Sequence, residues 1–358
     1  MSQSDVGSDL PTPCLIIDVS RLRANVEAMA AHARRIGTAL RPHAKTHKSP
    51  AIAALQRGAG AQGLTVATVS EAEVFASAGF TDLFIAYPVW VDRDRGRRLA
   101  ALRERARVIM GIDSAESARA LAAQLPGTSV LVEVDSGHHR SGVLPDGAGE
   151  LAEQAARSGV EVRGVFTFPG HAYSPGVQQQ VVLAEQHTLE TASASLRRHG
   201  IEPTVVSGGS TPTAAGTAPG AMNEIRPGVY VFGDAQQWEL GTVEPADIAL
   251  TCSASVVSRA GGNVVLDSGS KILGADRAPW ATGHGRLLDH PDARIHQLSE
   301  HHAVVSWPEH TPPPGIGEHV RVVPNHVCNA VNLVDELVVV KAGTVVDRWP
   351  VAARGALT

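Results

Sequence analysis

A (β/α)₈ barrel followed by a C-terminal antiparallel β domain is the α/β fold that the sequence predicts. Between Leu22 and Phe232, short apolar runs alternate with amphipathic stretches. About eight such repeats fill roughly 210 residues, which fits a closed barrel of parallel strands better than the alternative, an open doubly wound sheet. After Pro245 the apolar segments are short and β-branched, and Gly, Pro and Asp separate them. This second pattern is typical of antiparallel sheets.

Hydrophobic periodicity assigns the barrel elements in order. The first helix is expected over residues 21–36, because Val26, Met29 and Ala30 share one stripe. Strands are expected at residues 39–45, 64–68, 83–87, 108–112, 130–134, 162–168 and 204–206. The remaining helices are expected at residues 71–78, 92–104, 115–125, 149–158 and 177–198.

The second domain has five predicted strands, at residues 248–257, 263–266, 303–306, 319–323 and 337–341. Another strand-like segment, residues 13–18, precedes the first barrel helix and is expected to pair with them. The predicted division is therefore an N-terminal strand region in residues 1–20, a barrel in 21–244 and a β domain in 245–358.

Composition indicates a globular protein of the cytoplasm. Of 358 residues, 43% are apolar and 19% are charged, which is ordinary for a soluble domain. The net charge of -5 argues against nucleic acid or an anionic membrane as partner. Cys14, Cys252 and Cys328 are too few and too widely spaced for a disulfide framework. The N-terminus lacks an apolar signal core, and no run of about 18 apolar residues could span a bilayer.

The densest group of reactive side chains is the string RPHAKTHK, residues 41–48, at the end of a predicted strand. Taken alone, such a string is more often a solvated basic turn. In barrels, however, catalytic groups lie at the C-terminal ends of the strands. A lysine crowded by other cations loses its proton more readily and can form an imine. A lysine of this string is therefore a candidate imine-forming residue.

A glycine-rich loop, SGGSTPT in residues 207–213, follows a later predicted strand. Consecutive small residues let backbone N–H groups converge on an anion, and the hydroxyls add donors. Late loops of barrels commonly hold a phosphate. The alternative is an ordinary flexible turn.

The segment Asn325-His326-Val327-Cys328 lies inside the predicted β domain. On a strand, residues two apart point to the same side. His326 and Cys328 could then hold one Zn²⁺ and leave other positions for water and substrate. The alternative is a buried cysteine beside a hydrogen-bonded histidine.

Three further loops follow predicted strands and carry polar side chains. Residues 135–142 supply Arg140, residues 168–173 supply His171 and Tyr173, and residues 224–230 supply Arg226 and Tyr230. Each could be a plain salt-bridged loop, but their shared position at strand ends indicates that they face one site.

Together these motifs resemble the fold-type III pyridoxal-phosphate enzymes, which have an alanine-racemase-like barrel, and among them the D-serine dehydratase and D-threonine aldolase group. The similarity extends from Thr12-Pro13 to about Leu333. RPHAKTHK is similar to the group's cofactor-lysine motif, and SGGSTPT to its phosphate loop. EIRPGVYVFGD is similar to its last barrel strand, and PNHVCNAVNL to its metal-ligand segment.

The resemblance implies pyridoxal 5'-phosphate bound in the barrel, with Lys45 as the Schiff-base residue. The phosphate loop would contribute Ser207, Gly208, Gly209, Ser210 and Thr211. Arg140 or Tyr173 would contact the phenolic oxygen, and Arg226 would approach the pyridine nitrogen. Tyr230 is a further cofactor-binding candidate.

The resemblance also implies a divalent metal held by His326 and Cys328. A thiolate ligand favours Zn²⁺ by its softness, and Mn²⁺ or Mg²⁺ stay open. It further implies a homodimer in which each barrel meets the partner's β domain.

The implied substrate is a small D-amino acid with a 3-hydroxyl. In a dehydratase, Lys45 would remove the α-proton and the metal would assist loss of the hydroxyl, giving a 2-oxo acid and ammonia. In an aldolase, His171 would take the proton of the 3-hydroxyl, giving glycine and an aldehyde. His-x-Cys resembles the dehydratase pattern, whereas aldolases carry His-x-Asp, so Cys328 favours the dehydratase. His171 in its Gly-His-x-Tyr setting favours the aldolase.

Two other functions fit less well. A racemase would need a second base, usually a tyrosine of the β domain, but Tyr87, Tyr173 and Tyr230 all precede Pro245. A non-catalytic pyridoxal-phosphate carrier of the single-barrel type would not need the β domain and its metal ligands.

Overall fold

The computed structural model describes residues 10–220 and 222–358. Residues 1–9, which begin the predicted N-terminal strand region, lie outside the described residues. The chain forms two compact units. The β unit comprises residues 10–27, 46–51 and 229–354, and the barrel unit comprises residues 28–45, 52–228 and 355–358.

The regular structure begins with strand β1 (Cys14–Asp18), which helix α1 (Val19–Arg35) follows at once. Asp18 joins the two elements, because its Oδ1 accepts the backbone N–H groups of Ser20 at 2.9 Å and Arg21 at 3.1 Å. A carboxylate in this position satisfies N–H groups that have no partner inside the helix. The end of the strand therefore also caps the helix.

Eight parallel strands form the barrel unit: β2 (Ala39–Leu40), β3 (Leu64–Val66), β4 (Asp82–Pro88), β5 (Arg107–Ile112), β6 (Ser129–Glu133), β7 (Glu161–Phe166), β8 (Val205–Gly208) and β9 (Glu224–Ile225). They pair in the order β2–β9–β8–β7–β6–β5–β4–β3. A parallel bridge between His43 and Thr65 joins β3 to the chain just beyond β2 and closes the ring. The predicted barrel is therefore confirmed, and the open-sheet alternative is wrong.

The helices that alternate with these strands are α2 (Pro50–Gly58), α3 (Val69–Ser77), α4 (Arg93–Arg103), α5 (Ala115–Gln124), α6 (Ala148–Ser158), α7 (Gln178–Arg198) and α8 (Thr211–Ala214). Three of them begin at a side-chain cap: Thr68 for α3, Asp92 for α4 and Ser114 for α5. Each such cap contributes about 1 kcal/mol to helix stability. None of the described helices combines the length and apolar character that crossing a membrane requires.

The interior of the barrel contains a cluster of four buried apolar side chains from four adjacent strands: Phe84, Ile109, Leu131 and Phe166. The rings of Phe84 and Phe166 meet edge to face, with centroids 5.0 Å apart. Because side chains alternate along a strand, Glu133 points to the same side of β6 as Leu131. The barrel is thus filled by apolar side chains, and polar groups begin above them at the C-terminal ends of the strands.

The β unit contains helix α9 (Ala235–Glu239), strands β10 (Leu250–Ser258) and β11 (Val264–Leu266), helix α10 (Ser270–Leu273), strands β12 (Gly285–Leu287), β13 (Arg294–Leu298), β14 (Ala303–Ser306) and β15 (His319–Pro324), helix α11 (Val327–Val331), and strands β16 (Glu336–Lys341) and β17 (Thr344–Pro350). Strands β10, β11, β14, β13, β12 and β15 pair in a closed antiparallel ring. Strand β1 pairs antiparallel with β10 and parallel with β16, and β17 extends the sheet beyond β16.

Three strands of this unit were not expected from the sequence. β12 has only three residues, β13 carries the polar sequence RIHQL, and β17 is largely exposed. Short or polar strands lack the apolar run or the clean alternation by which strands are identified. Backbone pairing with their neighbours defines them instead.

Candidate active site

Lys45 lies in a 3₁₀ turn, Ala44–Thr46, directly after β2. Its Nζ is 5.5 Å from the ring centroid of Phe168, a residue just beyond the end of β7. The guanidinium carbon of Arg140, in the loop after β6, is 5.2 Å from the same centroid. Cations favour the negative face of an aromatic ring. The ring of Phe168 therefore brings two predicted site residues together at the C-terminal ends of the strands.

The sequence contains only four lysines, and the other three are placed elsewhere. Lys48 donates through Nζ to Asn332 Oδ1 at 2.7 Å. Lys271 pairs with Glu300 at 2.7 Å, and Lys341 is exposed at the end of β16. All three belong to the β unit. Lys45 is thus the single lysine of the barrel unit.

His171 packs tightly against the loop that follows β6. A Cβ atom added to Gly137 would lie 3.2 Å from His171 Nε2, and one added to Gly170 would lie 2.6 Å from His138 Nε2. Each imidazole therefore occupies the space beside a glycine of the other loop. Burial lowers the pKa of His171 below its usual value. The ring is neutral near pH 7 and can accept a proton, and Nδ1 is buried without a hydrogen-bond partner among the described residues.

Tyr173 belongs to the same loop, with its ring centroid 6.3 Å from that of Phe168. Tyr230 lies in the β unit, in a buried 3₁₀ turn, Val229–Val231. The structure thus brings Tyr173 to the ring shared by Lys45 and Arg140.

Arg226 is buried inside the barrel above the apolar cluster. Its guanidinium is 5.3 Å from the ring centroid of Phe166 and 5.5 Å from that of Phe84. Its Nε donates to Ser207 Oγ at 2.8 Å, and its Nη2 donates to the carbonyl of Thr167. These contacts leave the guanidinium little freedom to move. They also occupy the Ser207 hydroxyl, which the sequence assigned to the phosphate loop.

The glycine-rich loop follows β8. One strand, β9, separates β8 from β2, so strands β8 and β2 are about 10 Å apart. Gly209 has a φ of +78°, a conformation that suits glycine. Its N–H donates to Glu185 Oε1 at 2.6 Å, and the N–H of Ser210 donates to Thr213 Oγ1 at 2.9 Å. Two of the expected anion-binding amides therefore face protein acceptors, and phosphate binding by this loop stays a prediction.

Glu185 on α7 is completely buried under that loop. Burial raises its pKa to about 7, although the N–H of Gly209 and the charge of Arg226 act in the opposite direction. A Cβ atom added to Gly208 would lie only 2.6 Å from Glu185 Oε1, so the carboxyl group fits only against a glycine. Sequence analysis missed Glu185, because an acidic residue in an amphipathic helix carries no signal of burial.

Glu133 is a second residue that sequence analysis missed. It is the last residue of β6, is buried, and accepts the hydroxyl of Ser141 at 2.9 Å through Oε1. Burial raises its pKa, and Oε2 has no partner among the described residues. A carboxyl group at the end of an apolar run, in a strand that leads to Arg140, is the signal that could have identified it.

His326 and Cys328 do not lie on a strand, so the expectation about this segment was wrong. Strand β15 ends at Pro324, His326 precedes α11 in an extended conformation, and Cys328 is inside the helix. The N–H of Val327 donates to Asp234 Oδ2 at 3.2 Å instead of to a sheet partner, and the helix begins there. Cys328 nevertheless lies within hydrogen-bonding reach of the His326 ring.

The neighbours of His326 are anionic. Its Nδ1 is 2.6 Å from Asp276 Oδ2. Burial alone would lower the pKa of His326, but Cys328, Asp276 and Asp234 together raise it to about 11. The same negative charges attract any cation. In the described part of the chain, no group of three or more His, Cys, Asp or Glu is arranged to hold a metal.

Cys328 also contacts the residue that follows Lys45 in the chain. Its Sγ is 3.3 Å from Thr46 Oγ1, and Thr46 is fully buried. The thiol therefore donates to a buried hydroxyl of the same unit.

A closed parallel barrel with a lysine, an arginine and an aromatic ring at its strand ends, joined to a β unit with a histidine–cysteine pair, defines a class. It is the class of alanine-racemase-like enzymes. Residues 17–236 match the family described as "Alanine racemase, N-terminal domain", and residues 249–340 match the "Putative serine dehydratase domain".

Individual relatives cover nearly the whole chain. The D-threo-3-hydroxyaspartate dehydratase of Delftia sp. (strain HT23) is 33% identical over 348 residues, which are 89% of this chain and 91% of that protein. The D-threonine aldolase of Arthrobacter sp. is 34% identical over 359 residues, or 96% of this chain and 93% of that protein. The solved structure of the Delftia dehydratase has a TM-score of 0.89 at 30% identity, covering 97% of this chain and 98% of that one.

Solved structures of D-threo-3-hydroxyaspartate dehydratase include a His-to-Ala variant and a Cys-to-Ala variant two positions further along. The second is described as a metal-free form.

The chain belongs to this alanine-racemase-like family of fold-type III pyridoxal-phosphate enzymes. The family resemblance seen in the sequence is therefore confirmed.

Proposed function

We propose that this chain is a lyase that uses pyridoxal phosphate and a divalent metal to dehydrate 3-hydroxy-D-amino acids such as D-serine or D-threonine. The observation that carries the proposal is the position of Lys45. It is the single lysine of the barrel unit, and its amine shares the ring of Phe168 with Arg140 at the strand ends. Relatives that cover nearly the whole chain include a dehydratase and an aldolase, and both act on amino acids of this class by name.

The residues present fit pyridoxal phosphate. The cofactor needs an amine for its aldehyde, cationic partners for its oxygens and a defined partner for its ring nitrogen. Lys45, Arg140 and Arg226 supply these groups. Two buried atoms, His171 Nδ1 and Glu133 Oε2, have no hydrogen-bond partner among the described residues. They are therefore able to form hydrogen bonds with a bound polar molecule.

When bound, the pyridoxal ring accepts the electron pair of the Cα–H or Cα–Cβ bond that breaks. In the proposed reaction, Lys45 anchors the cofactor and then removes the α-proton as general base. Arg226, fixed by Ser207 and Thr167, is proposed to donate a hydrogen bond to the pyridine nitrogen. Arg140 or Tyr173 is proposed to contact the phenolic oxygen.

The metal is proposed to be Zn²⁺, held by His326 and Cys328. An imidazole and a thiolate are ligands that Zn²⁺ favours, and two protein ligands leave positions open for substrate. When bound, the metal supplies Lewis acidity for the departing 3-hydroxyl. Two variants of D-threo-3-hydroxyaspartate dehydratase support this assignment, of which the Cys-to-Ala variant is described as metal-free. The substituted cysteine follows the substituted histidine by two residues, as Cys328 follows His326.

Retro-aldol cleavage is the second candidate, and His171 is the observation that favours it. An aldolase must take the proton of the 3-hydroxyl. His171 is neutral near pH 7, because burial lowers its pKa, and it lies in the loop that also holds Phe168 and Tyr173. An imidazole in that state is a competent base.

Product analysis with D-threonine separates the two reactions. Dehydration gives 2-oxobutanoate and ammonia, and retro-aldol cleavage gives glycine and acetaldehyde. We expect 2-oxobutanoate from the purified, cofactor-loaded enzyme. Glycine and acetaldehyde in equal amounts would instead establish the aldolase, and the absence of all four products with D-serine also inert would contradict the proposal.

We also propose a homodimer, which the family resemblance supports. Light scattering should then give about twice the chain mass of 37.4 kDa. A mass equal to one chain would contradict it.

A further inference from the structure

Asp276 contacts the histidine of the proposed metal pair from a segment that is distant in sequence. Its Oδ2 is 2.6 Å from His326 Nδ1 and 3.0 Å from Asn329 Nδ2. A second contact holds the same segment in place, because a Cβ atom added to Gly274 would lie 3.2 Å from Asn329 Cβ. The segment after α10 is therefore packed closely against α11.

A carboxylate at Nδ1 determines what the other ring nitrogen can do. An ionised carboxylate only accepts hydrogen bonds, so Nδ1 carries the proton in this contact. Nε2 is then the nitrogen that a metal can bind, after displacing the proton it carries. Metal-binding histidines commonly donate their second nitrogen to a carboxylate, which fixes both the tautomer and the ring orientation.

The alternative role, a stabilising ion pair, is weak here. The side chain of Asp276 is 45% exposed and that of His326 is 33% exposed. Exposed ion pairs contribute at most about 1 kcal/mol to stability. A partly exposed pair of this kind gives the fold only a modest gain beyond its effect on the protonation of His326.

We propose that Asp276 is the positioning residue of the metal pair: it holds the proton on His326 Nδ1 and directs Nε2 toward the metal. This inference rests on the proposed function, in which His326 and Cys328 are the metal ligands. Asp276 itself does not act on the substrate. Its effect is on the affinity and geometry of the metal.

Zinc affinity of the metal-stripped, cofactor-loaded enzyme tests the proposal. Zn²⁺ is titrated against a chelating indicator in the parent and in Asp276→Asn, Asp276→Ala and His326→Ala. Asp289→Asn is the matched control, because Asp289 is 39% exposed and pairs with Arg321 in the same unit. We expect both Asp276 variants to bind Zn²⁺ about 10- to 100-fold more weakly. The control should bind like the parent, and thermal midpoints should stay the same.

Cobalt substitution gives an independent readout of ligand geometry. With Co²⁺, Asp276→Ala should keep the thiolate charge-transfer absorption of Cys328 but shift the d–d bands, because the imidazole is no longer held in place. Unchanged d–d bands would count against the positioning role.

The outcomes separate the two proposals. If Asp276→Asn and Asp276→Ala bind Zn²⁺ as tightly as the parent while His326→Ala does not, the positioning role is wrong and the metal pair stands. If His326→Ala binds Zn²⁺ as tightly as the parent, the metal pair itself is wrong, and the inference about Asp276 fails with it.

Discussion

Replacing Glu185 by Gln should change the pH dependence of stability in a direction that the structure determines. Glu185 is completely buried beneath the glycine-rich loop, and burial raises its pKa from 4.5 to about 7. The folded protein therefore holds the proton at pH values where the unfolded chain has lost it. Glutamine resembles the protonated carboxyl group in shape, and it does not titrate.

The sign follows from this difference. Because the folded-state pKa is the higher one, the stabilising contribution of Glu185 is fully present below pH 4.5 and is lost as the pH rises through about 7. Each pKa unit corresponds to about 1.4 kcal/mol. Between pH 5 and pH 8 the parent should lose about 2.5 kcal/mol of unfolding free energy that Glu185→Gln keeps.

The assay is urea unfolding of both proteins at pH 5 and pH 8, with pyridoxal phosphate at one saturating concentration. Only the change in the difference between parent and variant is interpreted, because other groups titrate in both proteins. Glu190→Gln is the matched control, since Glu190 is an exposed residue of the same helix. A stability difference between Glu185→Gln and the parent that stays constant from pH 5 to pH 8 would refute the buried, protonated carboxyl group.

The remaining predictions concern the proposed chemistry. Lys45→Ala should lose the imine absorbance of the cofactor. Lys271→Ala, which alters an exposed ion pair in the β unit, is the control and should keep it. An unchanged imine band in Lys45→Ala would contradict Lys45 as the residue that anchors the cofactor. Exhaustive chelation, and separately His326→Ala or Cys328→Ala, should stop turnover and leave the cofactor spectrum intact; full activity after chelation would remove the metal from the reaction. If His171 takes a proton from the substrate, kcat/KM should begin to fall only when the pH is lowered below 6.5, because burial lowers the pKa of His171 from that value. His171→Asn should lack this acidic limb. A parent profile whose acidic limb already begins above pH 7 would exclude this role.

The barrel could be predicted because its signal is periodic. Seven apolar runs separated by amphipathic stretches correspond to strands of the structure, and the same reasoning placed Lys45 at a strand end. The boundaries of the shortest strands could not be predicted. Strands β2 and β9 have only two residues each, and their predicted segments continue as turns. Polar strands such as β13 carry no apolar alternation, and pairing alone defines them.

The candidate site could be predicted only where its residues lie in one string. His326 and Cys328 were identified from their spacing, although the reason given, a shared strand face, was wrong. Asp276 could not be found in this way, because it is 50 residues from His326 in sequence. Glu185 is likewise separated by 24 residues from the N–H that it accepts. Such contacts depend on tertiary packing, and no local pattern encodes them.

The identity of the lysine that holds the cofactor is the claim on which the proposed function depends. Borohydride reduction of the purified holoenzyme converts the imine into a stable pyridoxyl-lysine, which peptide mass mapping locates. We expect a single label, on Lys45. A label on Lys48, Lys271 or Lys341, or an enzyme that takes up no label at all, would contradict it.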